Sequence, residues 1–156
     1  MLADGNPADD PVYAARTLQN LSWQGEANEA GAPNPQVARQ IGAAGGVASL
    51  IAMYHAGREL SALGCLCNLM TDVSNRQQVL DAGFLPEVIA KLGMRDWSDY
   101  AAEFLAHTTA DKDPIAVACV VAAGGVSALE RVATKGKKKA WGTSEAKRAL
   151  ANLGRS

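Results

Sequence analysis

RELSALGCLCNLMTDVSNRQQVLDAGFLPEVIAKL, residues 58 to 92, decides the fold. Its run from Leu63 to Met70 is almost wholly apolar and broken by one asparagine, Asn68, with Leu66 two residues before it and Ala62 six before it. The same offsets recur around LQNL (18–21), LAHT (105–108) and LANL (150–153). Six residues before Asn20, Asn68, His107 and Asn152 stand Ala14, Ala62, Ala101 and Ala146, and two before stand Leu18, Leu66, Leu105 and Leu150. The alanine and leucine positions share one face of a helix, so the pattern predicts four long helices with a common packing stripe.

The second half of the stretch carries another repeating signal. Ala82-Gly83 ends a short helical run, and Ala44-Gly45 and Ala123-Gly124 do the same, so the glycines stand 38 and 41 residues apart. Glycine after a helix adopts the left-handed conformation that terminates it and lets the next helix leave at a sharp angle. Starts are marked too: Asp10-Pro11, Asn34-Pro35 and Asp113-Pro114 each pair a capping side chain with proline at the first helical position. Ser74-Asn75-Arg76-Gln77 has the spacing of a capping box.

These signals divide the chain into one helix over about 11–22 and three triplets of short, medium and long helices. The triplets are expected at 35–43, 46–56 and 58–71, at 75–82, 85–92 and 97–109, and at 114–123, 125–135 and 143–154. Two polar insertions, 23–34 and 134–143, interrupt the period as surface loops. Residues 1–10 read as a flexible acidic N-terminus and 11–156 as one domain, with repeats at about 34–71, 74–109 and 113–154.

Composition narrows the functional classes. Lys plus Arg is 15 and Asp plus Glu is 16, so no overall basic charge argues for direct nucleic-acid binding or an anionic membrane. No apolar run reaches membrane-spanning length, so no membrane insertion is expected. MLADGNPADD is neither a signal nor a transit peptide in pattern. The cysteines, Cys65, Cys67 and Cys119, sit in apolar helical patterns and read as reduced, packed thiols. Cys65 and Cys67 are two apart and so point to nearly opposite sides of a helix, where they cannot share one metal ion. The expected compartment is the cytoplasm, with the nucleus or an organelle-associated assembly as alternatives.

A period near 40 with three helices, a glycine turn after the first, and a third helix reading Ala…Ala-Leu-x-Asn-Leu resembles the armadillo repeat. The likeness covers about residues 11 to 154, most specifically in 58–92, and departs where His107-Thr108 replaces Asn-Leu. It implies an all-α, right-handed α-solenoid of about three armadillo-like three-helix repeats plus an N-terminal extra helix. It also implies a concave groove of third helices whose asparagines hold the main chain of an extended peptide. Importin-like members carry Trp four residues before the Asn, whereas this chain has Arg16, Gly64, Glu103 and Arg148 there.

The expected partner-binding residues are therefore Arg16, Asn20, Gly64, Asn68, Asp99, Glu103, His107, Arg148 and Asn152. An outward Asn can serve both the C=O and the N–H of an unpaired backbone; alternatively, these amides cap backbone groups between neighbouring repeats. Gly64 would leave room for one bulky side chain, and a partner with an acidic end and a basic middle would match the order of charges. Asp99, Glu103 and His107 share a face at i, i+4 and i+8. They read as a solvated groove rather than a metal site, because no second cluster completes a coordination shell. His55 suits a helix end, Trp97 and Trp141 suit lids near helix starts, and Trp23 suits a lid or an exposed anchor. The run Lys135-Gly136-Lys137-Lys138-Lys139 reads as a solvated loop, with phosphate, an acidic tail or an import receptor as the alternatives.

No phosphate loop, nucleophile elbow or zinc motif is present in the sequence, so neither catalysis nor a cofactor is expected. The leading expectation is a protein–protein interaction module, and the second is a structural subunit or scaffold of a larger assembly that contacts neighbours through stack ends and outer faces.

Overall fold

The computed structural model describes residues 34–135 and 141–155. Among these the chain is all-α, with no strand and nine helices. They are α1 (Pro35–Ala43), α2 (Gly46–His55), α3 (Glu59–Leu69), α4 (Val73–Asp81), α5 (Leu85–Lys91), α6 (Ser98–Thr108), α7 (Pro114–Ala122), α8 (Gly125–Lys135) and α9 (Trp141–Asn152). Each expected boundary falls within two residues of the observed one. The expected first helix at 11–22 lies outside the described residues.

The helix ends form for the local reasons that the sequence carries. Asn34 accepts the Gln36 N–H at 2.9 Å to cap α1, and Asp113 accepts the N–H groups of Ile115 and Ala116 at 3.2 and 3.4 Å to cap α7. Gly45 (φ 85°) and Gly124 (φ 77°) adopt the left-handed conformation at the turns that follow α1 and α7. The capping box expected at Ser74–Gln77 is displaced. Asp72 caps α4 instead, accepting the Ser74 N–H at 2.9 Å and the Ser74 hydroxyl. The stronger acceptor one residue before the helix wins this position.

Compact packing divides the chain into two units, residues 1–75 and 76–156. Within the first, α2 buries Val47, Leu50 and Tyr54 on one face and packs chiefly on α3. Helix α3 is covered on all sides from Ala62 to Leu69, as its nearly unbroken apolar sequence requires. Asn75 ties this unit together: its Nδ2 donates to the carbonyls of Ala38 (2.8 Å) and Leu69 (2.9 Å). A side chain at Gly42 would collide with the Asn75 amide, because a Cβ there would lie 1.6 Å from Oδ1. At the rim, Arg39 Nε pairs with the buried Asp72 carboxylate at 2.9 Å. Burial alone would raise the Asp72 pKa, but hydrogen bonds from Ser74 and Arg39 and the Arg39 charge outweigh it and hold the carboxyl below its usual range.

In the second unit α9 packs along α6 and against α8. Phe84 and Phe104 are fully buried and meet edge to face at 6.2 Å. The Ala/Leu stripe is core, with Ala101, Leu105 and Ala146 at 0% exposure and Leu150 at 9%. Its counterparts in the first unit, Ala62 and Leu66, are equally hidden. Arg76 donates to the His107 carbonyl at 3.1 Å and pairs with Asp111, so it caps the end of α6.

Candidate functional site

The nine residues expected to form the partner surface do not share one fate. Arg16 and Asn20 lie outside the described residues. Gly64 and Asn68 are buried on α3, so the expected open position at Gly64 and the outward amide at Asn68 are corrected. Both belong to a helix whose apolar flanks demand cover on every side. Asn68 is 5% exposed, and its Nδ2 is a buried donor without a hydrogen-bond partner. Such a group costs about 1–3 kcal/mol unless something accepts from it.

Asp99, Glu103, His107, Arg148 and Asn152 lie on the neighbouring helices α6 and α9 of the second unit. Near the starts of these helices Gly142 lies against Asp99, where an added Cβ would stand 2.0 Å from Oδ1 and 2.8 Å from Cα. Near their ends Asn152 Nδ2 donates to the Ala106 carbonyl at 3.1 Å and to Thr109 Oγ1 at 3.3 Å. The two helices therefore run side by side in the same direction, and glycine allows the close approach at their starts. The Asn152 amide thus serves the alternative set out for the asparagines, joining neighbouring helices.

Between these anchor points four titratable side chains face one another. Glu103 Oε1 and His107 Nε2 are 3.8 Å apart, each side chain 20% exposed. Glu145 Oε2 lies 2.6 Å from Arg148 Nη2, with the carboxylate side chain 14% exposed and the guanidinium 47%. That contact is close enough for an ion pair but poorly aligned for a hydrogen bond, which leaves Glu145 Oε2 buried without a donor. Burial raises the Glu145 pKa; Arg148 lowers it, Glu103 raises it and His107 lowers it, and the net shift is upward. Hydrogen bonding at Glu145 is therefore incomplete. A cationic group entering beside Glu103 and Glu145 would relieve it.

Glu145 was not among the residues expected from the sequence. It stands three before Arg148 and seven before Asn152, so it shares their helix face and could have been found by that spacing. Among the described residues no group of three or more His, Cys, Asp or Glu side chains is arranged to hold a metal ion. Cys65 and Cys67 are buried, and Cys119 is half-buried. Trp97 precedes α6 with Lys91 Nζ 4.6 Å from its ring centre, and Trp141 opens α9 edge-on to Tyr100 at 5.4 Å. Lys135 ends α8, and residues 136–140 lie outside the described residues.

No protein family and no curated protein matches this chain. Solved structures do. One crystal structure of an engineered protein from the Northeast Structural Genomics Consortium aligns with a TM-score of 0.75 at 24% identity, covering 98% of this chain and 59% of that one. A second engineered protein from the same consortium aligns with a TM-score of 0.77 at 23% identity, covering 100% of this chain and 36% of that one. The likeness is one of fold. The chain spans less than two thirds of either engineered protein.

Proposed function

We propose that this chain is a non-catalytic interaction module. In this reading its three-helix repeats are armadillo-like, belong to a right-handed α-solenoid, and hold an extended peptide or partner segment against the long third helix of each repeat. Helices in triplets whose third member is as long as or longer than the others, left-handed glycines after the first helix of each, and the buried Ala/Leu stripe support the repeat assignment. The observation that carries the function is the face of α6 and α9, where Glu103, His107 and Glu145 stand partly buried beside the exposed Arg148 and Glu145 Oε2 has no hydrogen-bond donor. Partly desolvated charges of this kind favour a partner that offers the missing counter-charge. The predicted ligand presents Lys or Arg to Glu103 and Glu145.

A displayed library of short unstructured peptides, selected on the full chain, tests this reading. Enriched peptides should carry a basic residue, and Glu103→Lys should weaken them about tenfold, or 1.4 kcal/mol, with little change in Tm. Enrichment without basic residues, or binding indifferent to both Glu103→Lys and Glu145→Lys, would exclude this face.

A second reading, a structural subunit of a larger assembly, is favoured by α7. This helix is apolar along its length, yet only Ala116 and Val120 are buried, while Ile115 is 59% exposed and Val121 45%. Apolar residues left open along one helix suit contact with another chain. Sedimentation of the isolated protein separates the two readings, a stable monomer supporting the peptide reader and self-association supporting the subunit.

A further inference from the structure

Away from the α6–α9 face, the turn between α5 and α6 opens a pocket of about 440 Å³ lined by Leu92, Met94, Arg95, Ser98, Arg131 and Val132, together with Gly93. That volume lies in the range of small-ligand sites. Two features define its chemistry. Its apolar wall is Leu92, Met94 and Val132, with Met94 48% exposed although nothing polar extends its side chain. Its charge is positive: Arg95 from the turn and Arg131 from α8 both line it, and neither guanidinium has an ion-pair or hydrogen-bond partner among the described residues. No carboxylate lines the pocket. Arg39, Arg76 and Arg148 each hold a carboxylate, whereas these two line an open pocket without one. Ser98 adds a hydroxyl at the first position of α6, a helix whose preceding residue, Trp97, makes no side-chain cap. The positive end of that helix adds to the field of the two guanidinium groups.

We infer that this pocket binds a phosphate-class oxyanion carried on an apolar group, with Arg95 and Arg131 gripping the oxyanion and Leu92, Met94 and Val132 covering the stem. Planar guanidinium groups suit the oxyanion because each offers two parallel N–H donors. Two arginines from separate elements fix its position more closely than one exposed cation would. The apolar wall distinguishes a substituted phosphate from the free ion.

Titration of the full chain with phenyl phosphate, followed by backbone amide NMR, tests this assignment, with inorganic phosphate as the comparison. The expected result is saturable shifts at Gly93 to Ser98 and at Arg131 and Val132, tighter for phenyl phosphate than for inorganic phosphate and weakened by added salt. Arg95→Ala with Arg131→Ala should weaken binding at least tenfold. The paired lysine variants should retain part of it, since charge survives without the fork. Both arginines are exposed, so an unchanged circular dichroism spectrum should accompany the loss. Lys137→Ala, Lys138→Ala and Lys139→Ala together should leave affinity unchanged. The inference is overturned if phenyl phosphate causes no shifts at the pocket, if inorganic phosphate binds as tightly, or if loss follows the lysine run rather than the arginine pair.

Discussion

The amide of Asn152 donates to the carbonyl of Ala106 at 3.1 Å, and the same nitrogen reaches Thr109 Oγ1 at 3.3 Å. A side chain expected on an open groove therefore joins the last long helix to its neighbour. Replacing it by alanine leaves the helices in contact but deprives the Ala106 carbonyl of this donor. Asn152→Ala should cost about 1–3 kcal/mol in urea unfolding, with a slope unchanged from the parent. Asn152→Asp should cost at least as much, because it removes the donor and adds a charge. If either variant unfolds like the parent, the amide has no structural role.

Gly42 and Asn75 form a coupled pair in the first unit. An alanine at 42 would strike the Asn75 side chain, with Oδ1 only 1.6 Å from the new Cβ. Moving that amide breaks its bonds to the Ala38 and Leu69 carbonyls. Gly42→Ala should destabilise by roughly 1–3 kcal/mol. In an Asn75→Ala background most of that cost should vanish, and a double-mutant cycle of denaturation midpoints reads the coupling directly. Additive costs would show that the clash is relieved elsewhere.

Glu145 ionises against its surroundings. Burial is the largest cause of its raised pKa, so the folded chain penalises the charged carboxylate relative to the unfolded one, whose value lies near 4.5. The penalty is present above the folded value and disappears as pH falls below the unfolded one. Glu145→Gln should raise Tm at neutral pH, and the gain should fade as pH falls towards 4.5. A variant less stable at neutral pH would mean that the Arg148 contact outweighs desolvation.

Asp72 has the opposite sign. Its folded pKa is held below the ordinary 3.8, so its contribution is fully present above that value and is lost as pH falls through the folded value beneath it. Asp72→Ala should cost about 0.5–2 kcal/mol at neutral pH through the lost cap on α4. Asp72→Asn should keep the Ser74 N–H bond but flatten the acid limb of the stability curve. Thermal melts across the acid range check both, and an acid limb unchanged in the asparagine variant would remove Asp72 as its source.

Chain-local chemistry was legible in the sequence. Asn34 and Asp113 cap, Gly45 and Gly124 turn left-handed, and helix ends fall within two residues of expectation, because each depends on side chains only a few positions away. The Ala/Leu stripe was legible for the same reason, since helical spacing alone says which residues share a face. What covers a face is a different matter. Spacing put Gly64 and Asn68 with Glu103 and Arg148, yet packing buries the first two and leaves Arg148 exposed. The donor that Ala106 receives, the two guanidinium groups brought to one pocket from Arg95 and Arg131, and the burial of Glu145 were decided by tertiary structure. Each depends on how side chains from separate elements, or on one helix face, are oriented in three dimensions, and periodicity along the chain carries no information about that.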